Sequence, residues 1–305
     1  MTNSFSAYLH PHYADAFAAH GIPRQLPLSG AWLLQREIAG GGFDAMGLYP
    51  ILMCSEWSAM RHDLEALKDI VCVSAVVDPF AEIDTSELAE CFPHLMRHFK
   101  DHYVADLSYA PEEYVGAQHL RYARRALKSV DVHESPAVEL DAEIFAGLYG
   151  RLIARHAVKG MASFSRESLA SQLSVPGATA FYALVNGTCV GASIWYAYED
   201  RAYYHLAAYD EVGYALRASY ALFWRAIEHF THRVRWLNFG GGAGTSVTEA
   251  DGLTQFKRGW ANTVRPAYLC GRIVDEVRYA EICEAAGFDA SDLSYFPAYR
   301  RGEWD

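Results

Sequence analysis

The sequence contains no C-x-x-C pair. Its six cysteines (Cys54, Cys72, Cys91, Cys189, Cys270, Cys283) are dispersed, which excludes a zinc ribbon and a dense disulfide framework and fits the reducing cytosol. No stretch approaches the roughly 20 uncharged apolar residues that a membrane-crossing helix requires. The opening residues MTNSFSAYLHPHY lack the basic and apolar regions of an export signal, so a cytoplasmic chain without a membrane span is expected. Positive charge is scarce: 26 Lys and Arg stand against 37 Asp and Glu, a net of −11. That balance argues against nucleic-acid binding, DNA included, through an overall basic surface and leaves only a local basic patch. H-E-x-x-H, G-x-S-x-G and a Walker Gly-Lys-Ser/Thr loop are all missing. His10-Pro-His12 reads as a loop, and no metal is implied.

What is present is an ordinary globular mixture over 305 residues, 51% hydrophobic and 21% charged, long enough for one large domain or two. Short apolar runs at 32–36, 49–54 and 70–77 read as strands, the first two around a glycine-rich turn at 39–48. Helices are expected at 55–68 and 87–100, and another short strand at 103–107. The most legible helix covers 112–129, with Leu120, Ala123 and Leu127 on one stripe and Arg121, Arg124, Arg125 and Lys128 on another. After a linker or edge segment at 130–139, a helix is expected at 140–156. The second half reads as a helix at 166–173, a hairpin of 180–185 and 190–197 around Asn186-Gly187, and a strand at 201–207. An amphipathic helix at 214–231, a strand at 234–239 running into glycines, a short helix and a strand at 266–273 complete it. The expectation is an α/β (α+β) fold in two parts, 1–129 and 130–305.

Chemistry concentrates in 236–260, WLNFGGGAGTSVTEADGLTQFKRGW. A strand ends in Gly240, Gly241 and Gly242, whose missing side chains let backbone N–H groups approach an anion or acyl group closely. The plain alternative is a flexible connection. The run does not match G-x-G-x-x-G, because position 245 is Thr. The cationic stripe of Arg121, Arg124, Arg125 and Lys128 suits a polyphosphate or an RNA end, or is a solvated helix face. His205 and Asp251 are the candidate general bases, with Tyr204 as a hydrogen-bond donor. A strand histidine is equally a packing residue, and Asp251 before Gly252 equally a helix cap.

The run Asn238-Phe239-Gly240-Gly241-Gly242, then Asp251-Gly252-Leu253 and Phe256-Lys257-x-Gly259, resembles the C-terminal signature of the FemAB-like branch of the GNAT acyltransferase superfamily. That branch comprises peptidoglycan bridge aminoacyltransferases and relatives, including BioF2-like acyltransferase domains. The basic helix, the hairpin, the Tyr203-Tyr204-His205-Leu206 strand and the amphipathic helix follow in the matching order. The resemblance extends from about 103 to 273, and earlier only Tyr49-Pro50 after a glycine turn echoes it. It implies two GNAT-like halves, each a mixed, mostly antiparallel sheet flanked by helices. The first, degenerate half would serve acceptor binding, and the second would hold the transfer site. It further implies amide-bond formation from an activated donor, with Phe256 and Lys257 against the donor's acyl end. There Lys257 would stabilise the charged tetrahedral intermediate or hold a phosphate; the alternative is an exposed lysine on the helix after the loop.

The donor is either aminoacyl-tRNA or acyl-CoA, bound as cosubstrate, with no tightly bound cofactor. CoA-using members place an R/Q-x-x-G-x-G/A loop before the central helix, whose N–H groups grip the pyrophosphate. Here 210–219 reads DEVGYALRAS, with one glycine and two acids, which tilts the expectation toward aminoacyl-tRNA. The acceptor would be a cell-wall precursor or a small biosynthetic amine. A non-catalytic scaffold that keeps the fold is the third expectation.

Overall fold

A computed structural model describes residues 7–242 and 252–304. Among the described residues eleven strands follow one another: β1 (Ile22–Gln25), β2 (Trp32–Glu37), β3 (Phe43–Gly47), β4 (Cys72–Val76), β5 (Leu95–Asp106), β6 (Asp131–Pro136), β7 (Thr179–Val185), β8 (Thr188–Tyr198), β9 (Arg201–Tyr209), β10 (Trp236–Gly240) and β11 (Thr263–Ile273). The chain divides into two compact units, one of residues 13–99, 159–162 and 266–304, the other of 7–12, 100–158, 163–242 and 252–265. The expected boundary at 129/130 falls inside the second of these.

The first unit is a β1–β2–β3 antiparallel meander with β4 parallel to β3 and the C-terminal part of β11 antiparallel to β4. The helix Met60–Ala66 leads into β4. Two readings change here. Gly40, Gly41 and Gly42 all take positive φ, a conformation open mainly to glycine. These three residues complete the reversal, so β3 begins within the expected turn. The 49–54 run, in turn, makes only one bridge, Leu52 to Val77. The helix expected at 87–100 is Thr85–Cys91, and β5 follows it. Pro93 stands between them, and a proline and the residue before it resist the helical conformation.

The second unit repeats the pattern with one more strand. β6, β7, β8 and β9 form an antiparallel run, β10 lies parallel to β9, and the 103–106 part of β5 is antiparallel to β10. The strand pairing within each unit is therefore mixed and mostly antiparallel, as expected. The 130–139 segment is the edge strand β6. The helix Ala218–Phe230 buries Leu222, Phe223, Ala226, Ile227 and Phe230 among Trp195, Leu237 and Phe239, the clustering its helical spacing encodes. Two expected helices are each split. Gly116 separates Pro111–Tyr114 from Ala117–Ala126, and Arg217, at φ 59°, separates Glu211–Leu216 from Ala218–Phe230.

Candidate active site

The parallel pairing of β9 with β10 covers three residues, Arg201 to Tyr203 against Trp236 to Asn238, and then stops. Beyond it β9 continues through Tyr204 to Tyr209, while β10 ends at Gly240 with a register shift against β5. Two adjacent strands that cease to pair leave backbone groups facing a notch, and such groups need partners. Lys257, from the helix Gly252–Arg258, occupies this place. Its Nζ donates to the Gly241 carbonyl at 2.6 Å and lies 5.5 Å from the centre of the Tyr204 ring. Lys257 is only 6% exposed, so a cation is held in a site largely removed from water, where its field is strongest. The exposed-helix alternative does not describe it.

The glycines have separate reasons to be glycine. Gly240 takes φ 77°, and a Cβ there would stand 3.1 Å from Lys257 Nζ; one on Gly241 would press on the Lys100 side chain and the Asp101 carbonyl. Lys100 Nζ in turn donates to the Gly242 carbonyl at 3.0 Å. Two lysines thus bracket the end of the glycine run. Asn238, 2% exposed, accepts the Gly240 N–H at 2.8 Å and stands 3.2 Å from His102 Nδ1. Asp251 lies outside the described residues.

His205 is not part of this group. Successive strand residues face opposite sides of a sheet, and Tyr204 faces Phe223 and Lys257 while His205 faces Tyr8, Tyr196 and Gln172. Its Nε2 is 2.7 Å from Gln172 Oε1, its Nδ1 is 3.4 Å from Tyr8 Oη, and its ring stacks on Tyr196 at 4.3 Å. Burial pushes its pKa down to about 3. These are the surroundings of a neutral packing histidine. Tyr204, whose burial raises its own pKa well above the usual phenol value, presents its ring to Lys257.

Phe256 packs against Phe223, Tyr220 and Trp260, so one side of the helix bearing Lys257 is anchored by aromatic contacts. Two hydrogen bonds tie the same segment to the basic helix Ala117–Ala126: His119 Nε2 donates to the Phe256 carbonyl at 3.0 Å, and Gly116 N to the Gly259 carbonyl at 2.9 Å. On that helix Ala123 and Ala126 are buried, while Arg121, Arg124, Arg125 and Lys128 are exposed and line an open groove with Ala117 and Leu120. Among the described residues none of the four is ion-paired with a carboxylate.

The 210–219 stretch is not an open loop. Asp210 caps the helix Glu211–Leu216 by accepting the Gly213 N–H at 2.8 Å, and Glu211 pairs with Arg151 at 3.1 Å. Gly213 is required by packing, because a Cβ there would lie 2.2 Å from the Val190 carbonyl oxygen. His102, Asn238 and Lys100 belong to the site and carry no role in the sequence reading. Asn238 stood in a quoted motif without a function, and His102 and Lys100 lay where the expected 87–100 helix gave way to a short strand; Pro93 was the signal for β5.

Residues 116–258 match the family model described as Acetyltransferase (GNAT) domain. This stretch is a GNAT domain. It contains Lys257, the glycine run and the basic helix, and its class is that of acyltransferases. The fold extends beyond the GNAT domain. The structure of FemX matches at a TM-score of 0.65 and 12% identity, covering 90% of this chain and 93% of that one. A C-terminal domain (DUF2156) assigned to lysylphosphatidylglycerol synthetase from Agrobacterium fabrum matches at 0.60 and 14%, covering 90% and 91%. L-PGS from Bacillus licheniformis matches at 0.58 and 13%, covering 88% and 93%. Likeness at these identities speaks for the fold alone, which this chain shares with FemX over most of its length. No curated protein matches the sequence. Among the described residues no cluster of metal-ligating side chains occurs and no helix is long and apolar enough to cross a membrane.

Proposed function

We propose that this GNAT domain forms an amide bond by transferring an aminoacyl group from aminoacyl-tRNA to an amine. The observation that carries the choice of donor is the state of 210–219. The one glycine is consumed by packing on Val190, its N–H is taken by Asp210, and a carboxylate heads the segment. That leaves no glycine-rich set of free N–H groups for a pyrophosphate. The unpaired cations of the 117–126 helix, bolted to the segment that bears Lys257, supply a phosphate-binding track of the kind a nucleic-acid end requires.

In this reading the donor's ester carbonyl enters the notch where β9 and β10 part. Attack by the amine turns its oxygen into an alkoxide beside Lys257, and a fixed cation there is worth on the order of 3 kcal/mol or more of barrier lowering. Gly240, Gly241 and Gly242 allow the backbone to close on the acyl group, and Phe256 and Tyr204 shape the apolar walls. The acceptor is a cell-wall precursor or a small biosynthetic amine, with acceptor binding assigned to residues within 1–129.

The test is a side-by-side calorimetric titration with a mixed pool of charged tRNA and with acetyl-CoA at two salt concentrations. Saturable tRNA binding that weakens with salt, with acetyl-CoA silent, is expected. Tight acetyl-CoA binding without any response to RNA would replace this reading with an acyl-CoA-dependent N-acyltransferase, and binding of neither would favour a scaffold.

A further inference from the structure

The reaction needs a group that takes a proton from the attacking amine, and His205 is on the wrong face of the sheet. A different histidine meets the requirement. His102 stands on β5, which pairs with β10, and only 9% of its surface is exposed. Its Nδ1 is 3.2 Å from Asn238 Oδ1, and that same oxygen accepts the Gly240 N–H at 2.8 Å. A backbone N–H can only donate, so the Asn238 oxygen is an acceptor toward both neighbours, and the proton of neutral His102 must sit on Nδ1. The lone pair is then on Nε2. Among the described residues Nε2 has no hydrogen-bond partner and is not one of the fully buried unpaired atoms. A fixed tautomer with an unused basic nitrogen, held by a residue that also holds the glycine run, is the arrangement of a positioned proton acceptor.

We propose that His102 Nε2 is the general base of the acyl transfer, with Asn238 as its positioning residue. This inference rests on the acyl-transfer reading of the Lys257 site and holds for either donor. The amine arrives neutral, having left its first proton with solvent. Its lone pair forms the C–N bond, the carbonyl π pair moves to oxygen beside Lys257, and Nε2 takes one proton from the now cationic nitrogen. When the alkoxide collapses, the C–O bond to the donor ribose breaks. Nε2 returns the proton to that leaving oxygen, so His102 ends as it began. With a thioester the leaving atom is sulfur and the balance is the same.

The surrounding charges set the timing. His102 is pushed down to about 3 by burial first and then by the Lys257 cation, with Lys100 acting in the same direction and Asp101 and the Asn238 hydrogen bond opposing. An alkoxide beside Lys257 cancels much of that repulsion, so His102 gains basicity when the tetrahedral intermediate forms.

The experiment uses His102→Asn, whose amide N–H can replace the donation to Asn238 but which has no second nitrogen. With whichever donor the wild type uses, kcat is expected to fall about 100-fold or more, with KM for the donor and the thermal midpoint unchanged and partial recovery in added imidazole. Wild-type kcat, or a loss confined to KM or stability without imidazole rescue, would overturn the proposal. A second readout is independent of turnover: nitrogen-15 NMR of the wild type is expected to show His102 protonated at Nδ1, and in Lys257→Met to show it titrating at higher pH. An Nε2–H tautomer would overturn the assignment even in a protein with no measurable activity. Turnover with acetyl-CoA alone would refute only the choice of donor, since the His102→Asn ratio is read on either.

Discussion

Lys257 is a buried cation whose first partner is a backbone carbonyl, so its removal should be felt in two ways. Lys257→Met is expected to lower turnover by about 100- to 1000-fold, the size of a lost oxyanion contact. Leaving the Gly241 carbonyl unpaired costs about 1–3 kcal/mol of stability. Single-turnover rates and urea unfolding of the same variant separate the two, and unchanged values in both would remove Lys257 from the centre of the site. The role proposed for Lys257 was suggested by the family signature, and its neighbours Gly241 and Tyr204 were named with it; His102, Lys100 and a function for Asn238 were not. Asn238 and His102 are 136 residues apart in the chain, and no local pattern announces a hydrogen bond across that distance. His205 shows the converse: it sits beside Tyr204 in the sequence, and strand alternation places the two on opposite faces.

At the scale of elements, the glycines and the basic helix make separate predictions. Gly213→Ala puts a Cβ 2.2 Å from the Val190 carbonyl oxygen, and the shift this forces on the helix Glu211–Leu216 should destabilise the protein by about 1–3 kcal/mol. Urea midpoints measure this, and a neutral substitution would mean that the glycine is there for something other than packing. Arg124→Ala with Arg125→Ala should weaken tRNA binding and reduce the slope of log K against log salt by roughly 1 to 2. An unchanged slope would return the stripe to a solvated face. Most elements were legible because periodicity and turn residues are local: the hairpin at Asn186-Gly187 and the helix Ala218–Phe230 lie where their patterns place them. The failures have local causes of another kind. Pro93, Gly116 and the left-handed Arg217 each interrupt a pattern that hydrophobic spacing alone would have continued.

For the whole molecule, the two deeply buried histidines couple stability to pH. Both His102 and His205 are pushed down to about 3 in the folded protein, whereas an unfolded chain titrates near about 6.5. Above about pH 6.5 neither state binds the protons and nothing is lost. Below it the unfolded chain takes them up while the folded protein does not, so stability falls as pH drops from about 6.5 toward 3. Thermal midpoints across that window should fall, and His205→Gln, which keeps a partner for Gln172 but cannot titrate, should flatten part of the decline. An equally steep decline in the variant would assign the acid sensitivity elsewhere.

Composition alone argued against a membrane-crossing helix, a paired-cysteine zinc site and an overall basic surface, because these depend on counts and runs. Local order determined the alternation of strands and helices, and the 236–260 signature located Lys257 and the acyltransferase class. Tertiary structure decided which of those residues meet. The end of β9–β10 pairing opens the place that Lys257 fills, the cap by Asp210 takes the N–H of the one glycine in 210–219, and the Gly240–Asn238–His102 chain fixes one proton on one ring nitrogen. Each is a relation between backbone groups brought together from distant positions, and hydrogen-bond direction and strand register exist only after the chain has folded.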